Sequence, residues 1–256
     1  MRIDLYLFEK GYAKSRSYAK MLISEGFVKL NGKSVSKASA EVTETDIVEV
    51  TGKPFEYVSR GGLKLEAAIN AFNIDVTDFR CVDIGASTGG FTDCLLKKGA
   101  SYVVAVDIGH DQLDTSLIND SRVLNLEGVN ARDISTDIIG GICDIAVSDI
   151  SFISQTYVIP KIPSILSENG AYVALIKPQF ECGRSGLGKN GIVKDKKMRY
   201  SAVKKVTDCV LENGLNVVGL IVSPIEGGDG NTEYLMYCRN DGIHINDNII
   251  KEVCGL

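Results

Sequence analysis

From Tyr57 to its end the chain alternates short, almost continuous apolar runs with longer amphipathic segments, and few folds accept that rhythm. Such runs read as strands buried on both faces and the segments between them as crossover helices, the pattern of a parallel sheet with helices on both sides. The runs are CVDIG from Cys81, YVVAVDIG from Tyr102, VLNLEG from Val123, DIAVSDI from Asp144, AYVALIKPQF from Ala171, NVVGLIVSP from Asn216 and EYLMYCR from Glu233. They predict a seven-stranded, doubly wound α/β domain of Rossmann-like type, with GGFTDCLLKKGA and KDKKMRYSAVKKVTDCVLENG among its helices.

Residues 1–54 have a different texture and predict a small α+β domain, with 55–59 as a linker and 60–256 as the large domain. DLYLFEKG reads as a helix, and Ser15 or Ser17 can cap a second one that carries Tyr18, Met21 and Leu22 and stops at Gly26. FVKLNGKSV alternates around Asn31-Gly32 as a hairpin does, TDIVEV supplies another strand, and Gly52 and Pro54 punctuate the boundary.

Net charge is −5, which by itself argues mildly against a nucleic-acid partner, but the bases are clustered. Lys10, Lys14, Arg16, Lys20, Lys29, Lys33 and Lys37 face a single acid, Glu25, between positions 10 and 37. A second run, from Arg184 through Lys189 to Lys205, holds eight bases against Asp195. Either run alone is compatible with a solvated face; two in one acidic chain point to a polyanion. The seven cysteines are odd in number, scattered and free of any C-x-x-C pair, which disfavours a disulfide framework and a zinc site and suits reduced thiols in a cytosol. His110 and His244 are too isolated to suggest a metal. MRIDLYLFEK lacks the apolar centre of a signal peptide, and no later stretch approaches the roughly 20 apolar residues of a spanning helix. A soluble cytoplasmic protein without a membrane partner is expected, and no protein partner is indicated.

In open α/β sheets, ligands bind beyond the carboxyl ends of the strands. That rule gathers the loop Gly85 to Gly90 after VDI, Asp107, Asn130, Asp149 and Lys177 around one crevice. The loop reads GASTGG, with Ser87 where a dinucleotide fingerprint has its second glycine, the one that lets the backbone approach a pyrophosphate. Asp107 follows Gly85 by 22 residues, where such sheets offer an acid to ribose hydroxyls. A glycine turn with a ribose acid suits both NAD and S-adenosylmethionine, and Ser87 favours the ligand without a pyrophosphate.

VDIGASTGGF, AVDIG, SDISF, LIKPQFE and GNTEYL, with SRGGLKLEAA upstream, resemble the FtsJ-type ribose 2′-O-methyltransferases. MRIDLYLFEKGYAKSRSYAKMLISEGFVKLNG is similar to the RNA-binding module of ribosomal protein S-four, and the combination resembles the TlyA family of rRNA methyltransferases, often labelled haemolysins. The resemblance implies S-adenosylmethionine as cofactor, ribosomal RNA within ribosomal subunits as partner, and a catalytic tetrad of Lys64, Asp149, Lys177 and Glu233. It implies a cofactor site of Asp83, Gly85, Ala86, Ser87, Thr88, Gly89, Gly90, Phe91, Asp107, Asn130 and Asp149. RNA contacts are expected at Lys10, Lys14, Arg16, Lys20, Lys29, Lys33, Arg60, Arg184 and Lys189. Thr88 stands where the heat-shock branch has proline, and Asn130 where it has a carboxylate.

A ribose hydroxyl is a poor nucleophile, so catalysis gains from a base that removes its proton. Lys177 is expected to be that base, made available by partial burial and a second cation, Lys64. Glu233 is expected to position Lys64 or Lys177, and Asp149 to orient lysine and cofactor. The rival readings are a membrane-active haemolysin, a non-catalytic ribosome-assembly factor, an NAD enzyme and a base methyltransferase.

Overall fold

The computed structural model describes residues 1–13, 15–24, 26–51, 56–183, 186–188, 191–227 and 230–256. It contains two units, Met1–Glu56 and Tyr57–Leu256.

In the first unit, α1 (Ile3–Glu9) and α2 (Arg16–Ser24) precede β1 (Val28–Leu30), β2 (Lys33–Ser34) and β3 (Val48–Val50), an antiparallel sheet in the order β2-β1-β3. Ser15 caps α2, its Oγ accepting the Tyr18 N–H at 3.1 Å. Asn31 and Gly32 both take positive φ, 52° and 76°, as the two-residue hairpin turn requires. Ile3, Leu7, Leu22, Ile23 and Val28 make the core. Asp4 is buried at its edge and is held by Arg2 at 2.9 Å and Arg16 at 3.0 Å.

The second unit contains all seven expected strands: β4 (Arg80–Ile84), β5 (Tyr102–Val106), β6 (Val123–Leu126), β7 (Cys143–Ser148), β8 (Leu166–Ile176), β9 (Asn216–Val222) and β10 (Tyr234–Arg239). Their order is β6-β5-β4-β7-β8-β10-β9. The sheet is mixed rather than parallel throughout, because β10 runs antiparallel to both β8 and β9. Residues 223–233, which join β9 to β10, are too few for a helical crossover of a dozen or more residues, so the chain turns back instead.

Helices α3 (Gly61–Phe72), α4 (Gly90–Lys97), α9 (Lys196–Glu212) and α10 (Asp247–Cys254) supply the layers, with single turns α5 (Thr115–Ile118), α6 (Thr136–Ile139), α7 (Ile162–Ile165) and α8 (Pro178–Glu181) between strands. Successive strand residues point to opposite faces. Val82, Val104, Ala146 and Tyr172 therefore join the core shared with α9 and α10, whereas Cys81, Val103, Val147 and Val173 join the core shared with α3 and α4. Both faces being covered explains why the strands read as continuous apolar runs.

Gly90 brings the amino ends of α3 and α4 together. A Cβ there would lie 2.9 Å from the Gly62 nitrogen and 2.3 Å from Ser59 Oγ, so a side chain at position 90 would push α3, and Lys64 with it, away from the sheet.

Candidate active site

The carboxyl ends of the parallel strands β4 to β7 open on a cavity of about 500 Å³, an ordinary size for a small-molecule site. Gly85 and Ser87 after β4, Asp107 after β5, Asn130 after β6 and Asp149 after β7 all lie in its wall. Gly85 has φ 84°, and a Cβ on it would meet the Asp149 carbonyl oxygen at 3.0 Å. Glycine therefore lets the turn after β4 lie against the end of β7.

Ser87 takes φ 48°, a left-handed conformation that glycine adopts without strain. Its N–H donates to Asp107 Oδ2 at 2.8 Å, and its Oγ lies 3.2 Å from Gln112 Oε1. The other Asp107 oxygen accepts the Gly109 N–H at 2.7 Å. Two backbone donors thus aim a half-exposed carboxylate at the crevice. Asn130 Oδ1 accepts the Arg132 N–H at 3.0 Å, so what Asn130 has left for a ligand is its amide N–H pair, a donor where a carboxylate would accept.

The remaining loop residues expected at the cofactor do not line this cavity. Ala86, Gly90 and Phe91 are buried in the core on the α4 side of the sheet, and Thr88 is exposed. Gly89 precedes α4 with φ 91°, where a Cβ would fall 2.3 Å from Leu117 Cδ1. These residues set the shape of the loop, and its wall is made by Gly85 and Ser87.

Asp83 is fully buried in β4. Its Oδ2 accepts from the Thr92 N–H at 2.9 Å and Thr92 Oγ1 at 2.7 Å, while Oδ1 has no hydrogen-bond partner among the described residues. Burial pushes this carboxyl up to about 7, against the Thr92 hydrogen bonds and with help from the charges of Asp149 and Asp107. The folded state therefore holds the Asp83 proton more tightly than the unfolded state, whose carboxyl titrates near 3.9. The Asp83 contribution to stability is complete below about pH 4 and is lost as pH rises through about 7. In thermal unfolding without added ligand, Asp83→Asn should gain on wild type as pH rises from about 4 to about 7. A difference in melting temperature that does not change with pH would rule out this titration.

The four expected catalytic residues form two ion pairs. Lys177, directly after β8, sits 2.6 Å from Asp149 Oδ1 and donates to Ser151 Oγ at 2.8 Å. Lys64, on α3, donates to Glu233 Oε2 at 2.6 Å. Glu233 immediately precedes β10, and because β10 is antiparallel, Tyr234 pairs with Ile176. The amino end of this strand therefore lies at the same sheet edge as the carboxyl end of β8. Of the two lysines Glu233 was expected to serve, it engages Lys64.

The wall carries two carboxylates, Asp107 and Asp149, of which Asp149 is paired with Lys177, and one guanidinium, Arg132. Residues 57–240 match the FtsJ-like methyltransferase family, and residues 1–48 match the S4 domain. The chain belongs to the FtsJ-like methyltransferase family. Hemolysin A of Brachyspira hyodysenteriae is 45% identical over 242 residues, covering 93% of this chain and 99% of that protein. The 16S/23S rRNA (cytidine-2'-O)-methyltransferase TlyA of Mycobacterium tuberculosis is 43% identical over 239 residues, covering 93% of this chain and 89% of that protein. A solved structure of a hemolysin-named protein from Streptococcus thermophilus is similar at TM-score 0.80 and 39% identity, covering 99% of this chain and 94% of that one. Among the described residues, no helix is long and apolar enough to cross a membrane.

In this family member's first unit, Lys10, Arg16, Lys20 and Lys33 are exposed and Lys29 is half-buried, with Arg16 also paired to Asp4. Arg60, half-buried, precedes α3. Lys14, Arg184 and Lys189 lie outside the described residues.

Sequence reasoning missed Phe152 and Gln112, both in the cavity wall. Phe152 is 87% exposed with φ 66°, and its ring centroid lies 5.2 Å from that of Phe180. A bulky residue in left-handed backbone is strained, and nothing in the periodicity of SDISF announces it.

Proposed function

We propose that this protein transfers a methyl group from S-adenosylmethionine to a ribose 2′-hydroxyl of ribosomal RNA. The observation that carries this reading is Lys177, paired with Asp149 at the edge of a carboxylate-lined cavity in a methyltransferase-family chain. S-adenosylmethionine, when bound, supplies an electrophilic methyl group on a positively charged sulfur. The residues suit it: Asp107 for its ribose hydroxyls, Asn130 for the adenine, and Gly85, Ser87 and the buried Asp83 for its cationic amino-acid end.

Lys177, as the amine, takes the proton of the ribose hydroxyl while that oxygen gains the methyl group, and Asp149 holds the resulting ammonium. Lys64, fixed by Glu233, adds positive charge toward the RNA phosphate. Phe152 offers an open aromatic face on which a base can stack, a contact of about 1–3 kcal/mol. Residues 1–54 dock the RNA through Lys10, Lys14, Arg16, Lys20, Lys29 and Lys33, with Arg60, Arg184 and Lys189 contributing from the second unit, which begins at Tyr57. Such an enzyme works in the cytoplasm, where ribosomes are assembled.

The test is incubation with labelled S-adenosylmethionine and unmodified ribosomal subunits, followed by mapping of alkali-resistant ribose positions. Incorporation at a discrete 2′-oxygen is expected. Binding to subunits should weaken by orders of magnitude between about 50 and 200 mM salt, as phosphate neutralisation releases counterions. No label in any rRNA would overturn the reading.

A further inference from the structure

Beneath the Lys177–Asp149 pair lies a buried polar cluster that no catalytic role above uses: Ser148, Ser154, Gln155, Tyr172 and Glu181. An interior on this scale normally fills with apolar side chains, since a buried polar group costs free energy unless it is hydrogen-bonded. Here the bonds close on themselves. The Tyr172 hydroxyl donates to Gln155 Oε1 at 2.8 Å, Gln155 Nε2 donates to Ser148 Oγ at 3.0 Å, and Ser148 Oγ lies 2.7 Å from the Tyr172 hydroxyl. Burial pushes the Tyr172 phenol well above its usual range, so it stays a donor across the working pH.

The ring and its outward bonds touch the chain next to both halves of the ion pair without bonding either side chain. Ser148 ends β7, one residue before Asp149. Gln155 Nε2 also donates to the Leu175 carbonyl at 3.0 Å, two residues before Lys177 on β8. The Gln155 N–H donates to Glu181 Oε1 at 2.7 Å, and Ser154 Oγ bonds Glu181 Oε2, both on the helix that begins just after Lys177. Lys205, from α9, reaches the same Glu181 carboxylate at 3.4 Å. The loop 149–154, which carries Asp149, Ser151 and the strained Phe152, is thus closed at its base by the Ser148–Gln155 contact and tied on both sides of Lys177.

We infer that Gln155, through Ser148, Tyr172, Leu175 and Glu181, is a positioning residue that sets the geometry of Lys177 relative to Asp149. This rests on the methyl-transfer reading for its effect on rate, though not for its effect on the Lys177 amine. Gln155→Leu removes the side-chain bonds while keeping the volume close. Tyr172→Phe and Ser148→Ala each remove one hydroxyl and guard against a Gln155 variant that fails to fold.

Two readouts are taken on the full chain: methylation of unmodified ribosomal subunits across about pH 6 to 9, and competitive acetylation of the Lys177 amine read by mass spectrometry. For Gln155→Leu, kcat should fall by about 10- to 100-fold, the scale of an ångström-sized misplacement, with KM for both substrates within about twofold of wild type. Its pH–kcat profile should shift, and Lys177 should acetylate faster. The two hydroxyl variants should move the same quantities less and in the same direction. A variant with a lowered melting temperature but an unchanged pH profile and unchanged Lys177 acetylation overturns the inference and leaves the cluster a packing element. If wild type methylates no rRNA, the function proposed above fails, and the acetylation arm alone still decides the role of Gln155.

Discussion

Lys177→Met should lower the rate of methyl transfer by about 10²–10⁴-fold, the range for loss of a positioned base, with cofactor binding retained. Methionine keeps the unbranched stem while removing the amine that reaches Asp149 and Ser151. The Asp149 side chain is 21% exposed although the Oδ1 that faces Lys177 is buried, so part of the side chain stays open to water when its partner goes. Lys177→Arg separates the two roles open to a cation at this position. Arginine restores a charge for Asp149, but it stays protonated and takes no proton from a hydroxyl. Both variants should therefore be slowed to this extent on unmodified subunits while titrating S-adenosylmethionine in calorimetry within about threefold of wild type. A Lys177→Arg enzyme close to wild type would show that position 177 supplies charge alone and that the base lies elsewhere.

How much of this site was legible depends on which physical rule carried each residue. Gly85, Asp107, Asn130, Asp149 and Lys177 follow from the position of strand ends, because a parallel sheet delivers its carboxyl ends to one edge. Glu233 escapes that rule. It precedes its strand, and only the reversal of β10 brings it to the same edge, a fact set by the short connection 223–233 and not by any pattern within EYLMYCR. The glycines were legible as a loop, but the packing duty of Gly90, which lets α3 approach α4, was not. Phe152 and Gln155 were invisible for a deeper reason. Their meaning lies in a backbone dihedral and in hydrogen bonds to residues 17 to 26 positions away, and neither leaves a periodicity.

Removing one member of the Lys64–Glu233 pair should cost more stability than removing both. Side-chain exposure is 10% for Lys64 and 2% for Glu233, so each charge depends on the other for most of its solvation. Lys64→Met strands a buried carboxylate, a loss of about 3–5 kcal/mol. For a unit of this size, that lowers the calorimetric transition of residues 57–256 by roughly 6–20 °C. Lys64→Met with Glu233→Leu leaves no charge behind and should recover most of that loss, since a well-packed apolar pair replaces a buried ion pair at little cost. The double variant then isolates what the pair does for the reaction. If Lys64 adds charge toward RNA, the refolded double variant remains slow on ribosomal subunits and loses part of the salt dependence of binding. A double variant that recovers both its melting temperature and its rate would make the pair a fastener between α3 and β10.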